Sequence, residues 1–329
     1  LLLLLSCSDY EVAVRETTDV FLQDPPERVD ILLVIDNSAS MQPYQEALGQ
    51  NFAGFIRYFT EADVDYHIAV TSTTLAPGLP VGAWGCTAED VADIVEDGEI
   101  AGPLILAPGT PNAEEKFADL VDVGTCGSGA EMGLHASYVA LTERVLDGTN
   151  AGFLREDAAL SIIYVSDEED GSPEPVWVYV NELRAIKAMT GRDALTLSAL
   201  VALTPSQCPD DLAPAVTGTR YVAAAETTAG VVADICTEDF GNIVEDLSLN
   251  ASRLQDTYWL SEWPEVSSIE VTLGEDLVPC GDWTYRVLPD ADGVDSPAVV
   301  FEREAMPRSL TEIQIYYRYG TGQELEACP

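Results

Sequence analysis

Three stretches of the chain carry oxygen-bearing side chains at spacings that suit a hard cation. The first is Asp36-Asn37-Ser38-Ala39-Ser40-Met41, a D-x-S-x-S run that follows an apolar segment and precedes an amphipathic one. The second, Gly124-Thr125-Cys126-Gly127-Ser128-Gly129, brings two hydroxyls ahead of Glu131 and Gly133. The third is Ser166-Asp167-Glu168-Glu169-Asp170-Gly171, again directly after an apolar segment. Carboxylate and hydroxyl oxygens are the ligands that Mg²⁺, Ca²⁺ and Mn²⁺ take. Ser38 and Ser40, two residues apart in a turn, can present both hydroxyls to one point. Two carboxylates and two or three neutral hydroxyls leave a dication electrophilic, with a water-held position that an outside Asp or Glu can displace. The chemistry expected is capture of a ligand rather than turnover.

The apolar segments are what must bring these loops together. Val29–Ile35 is a nearly continuous apolar run, as is Leu160–Val165, and Leu195–Leu203 is a third. Such runs predict strands buried on both faces of a parallel sheet. His67–Thr71 and Arg220–Ala223 are shorter strand candidates. Tyr44, Leu48, Phe52, Phe55 and Phe59 recur at helical spacing, and Met132, Ala136, Val139 and Ala140 do so more weakly. Strands alternating with helices predict an α/β domain with a mainly parallel sheet. In such sheets ligands sit beyond the carboxyl ends of the strands, which is where Asp36 and Asp167 fall.

This combination resembles the metal-ion-dependent adhesion site of the von Willebrand factor A family, over about residues 28–250. The matching features are the D-x-S-x-S run after the first strand, the hydroxyl loop before a helix, and the strand-terminal Asp167. The resemblance implies a doubly wound, Rossmann-like fold in which Ser38 and Ser40 bind the metal directly and Asp36 binds directly or through water. It implies a hydroxyl ligand from the middle loop, usually Thr. Here Ser128 stands five residues before Gly133 as the family Thr does, and Thr125 is the nearby alternative. Asp167 matches the last ligand, although the usual Asp-Gly is extended to Asp-Glu-Glu-Asp-Gly, as in a subset of exported bacterial members. The implied cofactor is Mg²⁺, or Ca²⁺ or Mn²⁺. The implied partner is a protein or other extracellular macromolecule offering an Asp or Glu carboxylate. Glu168, Glu169 and Asp170 themselves read as a solvated acidic loop.

Composition narrows the alternatives. With 15 Lys and Arg against 57 Asp and Glu, the 329-residue chain has a formal charge of −42, which excludes a nucleic-acid surface as the default. Its 47% hydrophobic content still suffices for a buried core. The two histidines, His67 and His135, read as structural, and the chain has no G-x-S-x-G elbow, Walker loop or dinucleotide fingerprint. An enzyme is therefore not expected. The alternatives are an envelope assembly component with a vestigial metal site and a hydrolase using the acids near Asp167.

At the N-terminus, Leu4-Leu5-Ser6-Cys7 looks like the lipobox that ends a bacterial lipoprotein signal, with Cys7 the lipidated residue. That resemblance implies an exported protein of the bacterial cell envelope, anchored to the outer membrane through lipid only. Setting Cys7 aside leaves Cys86, Cys126, Cys208, Cys236, Cys280 and Cys328, an even number that favours three disulfides in an exported chain. Pairing of neighbours is expected: Cys86 with Cys126, Cys208 with Cys236, and Cys280 with Cys328. Residues 74–123 carry five prolines and read as a long insertion. Past Trp263 the hydrophobic period changes to two, at Ile269, Val271 and Leu273 and at Ile313, Ile315, Tyr317 and Tyr319. The expected organisation is a signal remnant at 1–7, a linker or edge strand at 8–27, the A-type domain at 28–260, and a small antiparallel β module at 261–329. Trp259, Trp263, Trp283 and the Tyr316–Tyr319 cluster read as core packing of that module rather than a carbohydrate-stacking surface.

Overall fold

The computed structural model describes residues 15–23, 28–51, 53–61, 64–75, 77–102, 104–187, 194–208, 215–237, 240–252, 255–289, 294–302, 305–307 and 311–320. Cys7, Phe52 and Cys328 lie outside them. The chain divides into two compact units, one of residues 25–253 and one of residues 254–329 together with 1–24.

The larger unit is α/β. Strands β2 (Arg28–Ile35), β3 (Asp65–Ser72), β4 (Ala159–Ser166), β5 (Leu195–Val201) and β6 (Val232–Asp234) form one all-parallel sheet in the order β3-β2-β4-β5-β6. The apolar runs form its centre because both faces are covered. On β2, Leu32 and Val34 enter a core with Leu134, Tyr179, Leu183 and Tyr221, which come from helices α5 (Gly133–Leu141, followed by the short α6, Glu143–Asp147), α7 (Val176–Ile186) and α8 (Thr219–Thr227). Ile31, Leu33 and Ile35 alternate with them and are equally buried. Helices α1 (Gln42–Asn51), α2 (Ala53–Glu61), α4 (Ala113–Val121) and α9 (Phe240–Ser252) pack among themselves, with Phe55 stacked on Phe117 at 5.6 Å. The periodic stretch Tyr44–Phe59 thus makes two consecutive helices.

Arg220–Ala223 is not a strand; it is the start of α8. Tyr221, Ala224 and Ala225 are buried on one side of that helix, a spacing that a four-residue window cannot separate from a strand. The fifth strand of the sheet is the three-residue β6 instead. Within 74–123 the elements are short, including α3 (Ala88–Ala92) with a Thr87/Asp90 capping box. The Cys86–Cys126 and Cys208–Cys236 disulfides are formed, with Cα–Cα distances of 5.9 and 4.6 Å. Cys280 is also disulfide-bonded.

The smaller unit is antiparallel β. Strand β1 (Glu16–Leu22) pairs with β12 (Glu312–Arg318), which continues to β8 (Glu270–Leu273) and β9 (Asp276–Leu277). A second sheet joins β10 (Trp283–Pro289), β11 (Asp295–Phe301) and β7 (Thr257–Trp259). The boundary falls before residue 260 because β7 pairs with β11, and the N-terminal strand belongs here because its whole length pairs with β12. Tyr258, Val271, Trp283, Phe301, Ile315 and Tyr317 build the core. Trp283 and Tyr317 are therefore packing residues, whereas Trp259 and Trp263 are 42% and 41% exposed. Among the described residues, no helix is long and apolar enough to cross a membrane.

Candidate metal centre

Register builds the site. Ile35 at the end of β2 lies opposite Val165 of β4 on one side and Ser72 of β3 on the other. The strand order reverses beside β2, the kind of point at which open parallel sheets bind ligands. The Asp36 N–H donates to the Val165 carbonyl at 2.9 Å, and the Thr73 N–H donates to the Ile35 carbonyl at 3.2 Å. Three chain segments are thereby held at one rim.

Asp36, fully buried, folds back on its own loop. Its Oδ1 accepts the Ser38 N–H at 2.8 Å, and its Oδ2 accepts the Ser166 hydroxyl at 2.6 Å. Ser38 Oγ lies 2.9 Å from Ser40 Oγ, and the Ser40 hydroxyl donates to Asp167 Oδ1 at 3.1 Å. Four predicted residues, Asp36, Ser38, Ser40 and Asp167, thus form one chain of contacts. Gln45 of α1 holds the turn from behind, its amide donating to the carbonyls of Asp36 at 2.9 Å and Gly124 at 2.8 Å.

The middle loop reaches the same rim by a different route. The Gly127 N–H donates to the Asn37 carbonyl at 2.8 Å, and a Cβ on Gly127 would stand 2.2 Å from Asn37 Oδ1. Only a residue without a side chain allows that approach. Asn37 Oδ1 accepts the Thr74 hydroxyl at 2.7 Å, and Thr74 Oγ1 accepts the Ser128 N–H at 3.0 Å. The Ser128 hydroxyl oxygen accepts the Ala130 N–H at 3.1 Å. Neither Ser128 nor Thr125 shares a hydrogen bond with the chain running from Asp36 to Asp167. Gly133 fits where it does because a Cβ there would meet the Tyr221 hydroxyl at 2.5 Å.

What that loop does bring to the rim is Glu131, 3% exposed. Its Oε1 has no hydrogen-bond partner, nor do the buried Asp167 Oδ2, Thr73 Oγ1 and Gln45 Oε1. Buried polar atoms are nearly always satisfied; these four lie on segments that leave the same sheet edge, and the described residues hold five further such atoms elsewhere. Sequence reading passed over Glu131 and Thr73. Their signal was present, a Glu between two small-residue turns and a Thr just past a strand, but only the fold shows that both are buried.

The electrostatics agree. Burial pushes Asp36 up to about 6 against the hydrogen bonds from Ser166 and Ser38. Burial and then the Asp36 charge push Asp167 up to about 7. Glu131 goes up to about 9, through burial, the charges of Asp36 and Glu168, and a hydrogen bond with Glu168. Like charges crowded in a low-dielectric rim disfavour ionisation, and a bound cation would reverse that preference. Among the described residues no three His, Cys, Asp or Glu side chains are arranged to hold a metal ion. A ligand set of two carboxylates and serine hydroxyls does not require three such groups.

The acidic extension is not a solvated loop. Glu169 accepts the N–H groups of Thr219 at 3.1 Å and Arg220 at 2.9 Å, along with the Thr219 hydroxyl, at the start of α8. Asp170, 3% exposed, accepts from the Leu134 N–H at 3.1 Å, the Ser172 hydroxyl at 2.7 Å and Arg220 Nε at 2.9 Å. Both carboxylates sit where helix N-termini favour negative charge. His67 Nδ1 lies 3.0 Å from the Phe153 carbonyl, and His135 packs against Tyr138 and Tyr179 with its Nδ1 buried and without a hydrogen-bond partner.

No family model matches the chain, and no curated protein matches it. Among solved structures, the chain is similar to proximal thread matrix protein 1 from the mussel byssus, with 12% identity, a TM-score of 0.42, and coverage of 73% of this chain and 51% of that one. It is similar at the same identity and TM-score to the pilus adhesin SpaC from Lactobacillus rhamnosus GG, over 94% of this chain and 42% of that one. The chain thus spans about half or less of the length of these proteins.

Proposed function

We propose that the chain is a non-catalytic binding protein that captures a carboxylate-bearing macromolecule through a divalent cation held by Asp36, Ser38, Ser40 and Asp167. The observation that carries this reading is the continuous contact from Asp36 to Asp167 Oδ1, the other oxygen of that carboxylate, Oδ2, being buried without a partner. The donor set fits Mg²⁺, Mn²⁺ or Ca²⁺, which all take hard oxygen ligands. When bound, the cation supplies a Lewis-acidic position for the partner's Asp or Glu. The chain's own residues fix that position: Ser166 and the Ser38 N–H orient Asp36, and Ser40 orients Asp167.

The reading includes the finer fold assignment, a doubly wound sheet of the von Willebrand factor A type, which the sheet order and the D-x-S-x-S loop support. Export as a lipid-anchored envelope protein belongs to the same proposal. Its support is the Leu4–Cys7 lipobox and the disulfides, which suit an oxidising compartment. Isothermal titration with Mg²⁺, Mn²⁺ and Ca²⁺ tests the function. The wild-type protein should bind one ion, and Asp36→Ala combined with Ser38→Ala should abolish binding. Absence of binding, or binding unchanged in the double variant, overturns it.

A further inference from the structure

We infer that the loop Pro80–Cys86 is a second, cation-independent docking element, with Trp84 as its anchor and a basic, amphipathic segment of another protein as its occupant. Trp84 is 85% exposed, and Val81, three positions earlier in the same loop, is 59% exposed, which leaves a large aromatic side chain in water. Exposed aromatic residues of this kind are the usual anchors of protein interfaces.

The loop is built to hold that side chain out. Trp84 adopts φ 50° and ψ 21°, a left-handed conformation that a bulky residue rarely takes, between Gly82 at φ 90° and Gly85 at φ 91°. Three backbone hydrogen bonds close the turn: Gly82 N–H to the Cys86 carbonyl at 2.7 Å, Ala83 N–H to the Pro80 carbonyl at 3.0 Å, and Cys86 N–H to the Ala83 carbonyl at 2.8 Å. The Cys86–Cys126 disulfide and the Leu79 N–H bond to the Cys126 carbonyl at 2.8 Å staple both ends of it to the middle loop. A loop ordered before contact loses less entropy on binding than a flexible one. By chain reach, the Trp84 Cα is at most about 17 Å from that of Gly127, the residue seated on Asn37.

Charge selects the occupant. The segment following the disulfide, Thr87–Asp97, exposes Glu89, Asp90, Asp93, Glu96 and Asp97 and contains no Lys or Arg. An apolar knob followed in sequence by that acidic stretch, on a chain of net charge −42, fits an apolar face bordered by Lys and Arg and repels an acidic one.

The test uses an amphipathic Lys/Leu helical peptide and its Leu→Ser counterpart of equal charge, titrated against the full chain in chelator at physiological salt. The wild-type protein should prefer the Leu-bearing peptide by about tenfold or more. Trp84→Ala should reduce that preference to about twofold or less, Trp84→Phe should retain most of it, and Trp177→Ala should leave it intact. Trp177 is the control because it is 66% exposed on a different element, α7. The proposal is overturned if the wild type shows no preference, if Trp84→Ala keeps it, or if Trp177→Ala removes it equally. Working in chelator keeps this outcome separate from that of the cation site.

Discussion

The Ser40 hydroxyl donates to Asp167 at 3.1 Å across a sequence separation of 127 residues. Neither residue's neighbours in sequence bring this about. It follows from the parallel register that sets the ends of β2 and β4 side by side, so that a turn leaving one strand meets the residue leaving the other. The same register places Ser166 where its hydroxyl can hold Asp36. The candidate site is therefore a property of the sheet edge, and the sheet's packing decides whether it persists.

Acidity should stabilise the cation-free protein. Folding raises Asp36 to about 6 and Asp167 to about 7, so their contribution to stability is complete below about pH 4, where unfolded carboxyls titrate. It is lost as pH rises through those two values. In chelator the urea midpoint should fall between pH 5 and pH 8, and Asp36→Asn with Asp167→Asn should flatten that fall. Saturating Mg²⁺ should offset it, because an ion that binds only the folded state stabilises it. Parallel pH profiles for wild type and variant would contradict the assignment.

Two nearby glycines should behave oppositely. Gly127→Ala puts a Cβ 2.2 Å from Asn37 Oδ1, whereas nothing lies within 4 Å of a Cβ on Gly129. Gly127→Ala should unseat the middle loop and weaken cation affinity by roughly tenfold to a hundredfold, the range seen when supporting contacts of a metal site are lost. Gly129→Ala should leave affinity within about twofold on the same scale. Titration of both variants with Mn²⁺ checks this.

Asp30 lies at the other end of β2, where it supports the fold rather than the site. Fully buried, it takes Arg155 Nε at 2.8 Å and Lys187 Nζ at 3.1 Å. Removing one partner from a buried ion pair leaves a charge uncompensated and typically costs about 3–5 kcal/mol. Asp30→Ala should lose about that much in denaturant unfolding. Its cation affinity, measured well below the melting temperature, should match wild type, since Asp36 lies six positions along the chain from Asp30, about 20 Å of strand.

The acidic extension should separate into two stabilities. Asp170→Ala removes the buried carboxylate that pairs with Arg220 and caps α5, leaving Arg220 only the Ser172 and Glu174 carbonyls, and should cost about 3 kcal/mol. Glu169→Ala removes only the more exposed cap of α8 and should cost about 1 kcal/mol. Equal and negligible effects in thermal unfolding would restore the reading of a solvated loop.

Much of this was legible in the residues because it is local. Val29–Ile35 reads as a buried strand from its own composition, and Asp36, Ser38 and Ser40 are near one another in any turn. Asp167 was found because a strand end precedes it. What depends on tertiary placement was hidden. Glu131 looks like any surface Glu until α5 and the rim enclose it, and Glu168–Asp170 looks solvated until two helix N-termini arrive to use it. Arg220–Ala223 carries no period of its own, so packing of Tyr221 and Ala224 decides its helical state. The pairing of β1 with β12 spans nearly the whole chain, beyond the reach of any pattern in either strand alone.

The central claim is that one rim of the parallel sheet holds a hard cation, and anomalous diffraction from crystals soaked in Mn²⁺ tests it most directly. A single strong peak is expected, ligated by Asp36, Ser38, Ser40 and Asp167 or bridged to them by water. A strong peak elsewhere on the chain with that rim left unligated would contradict it.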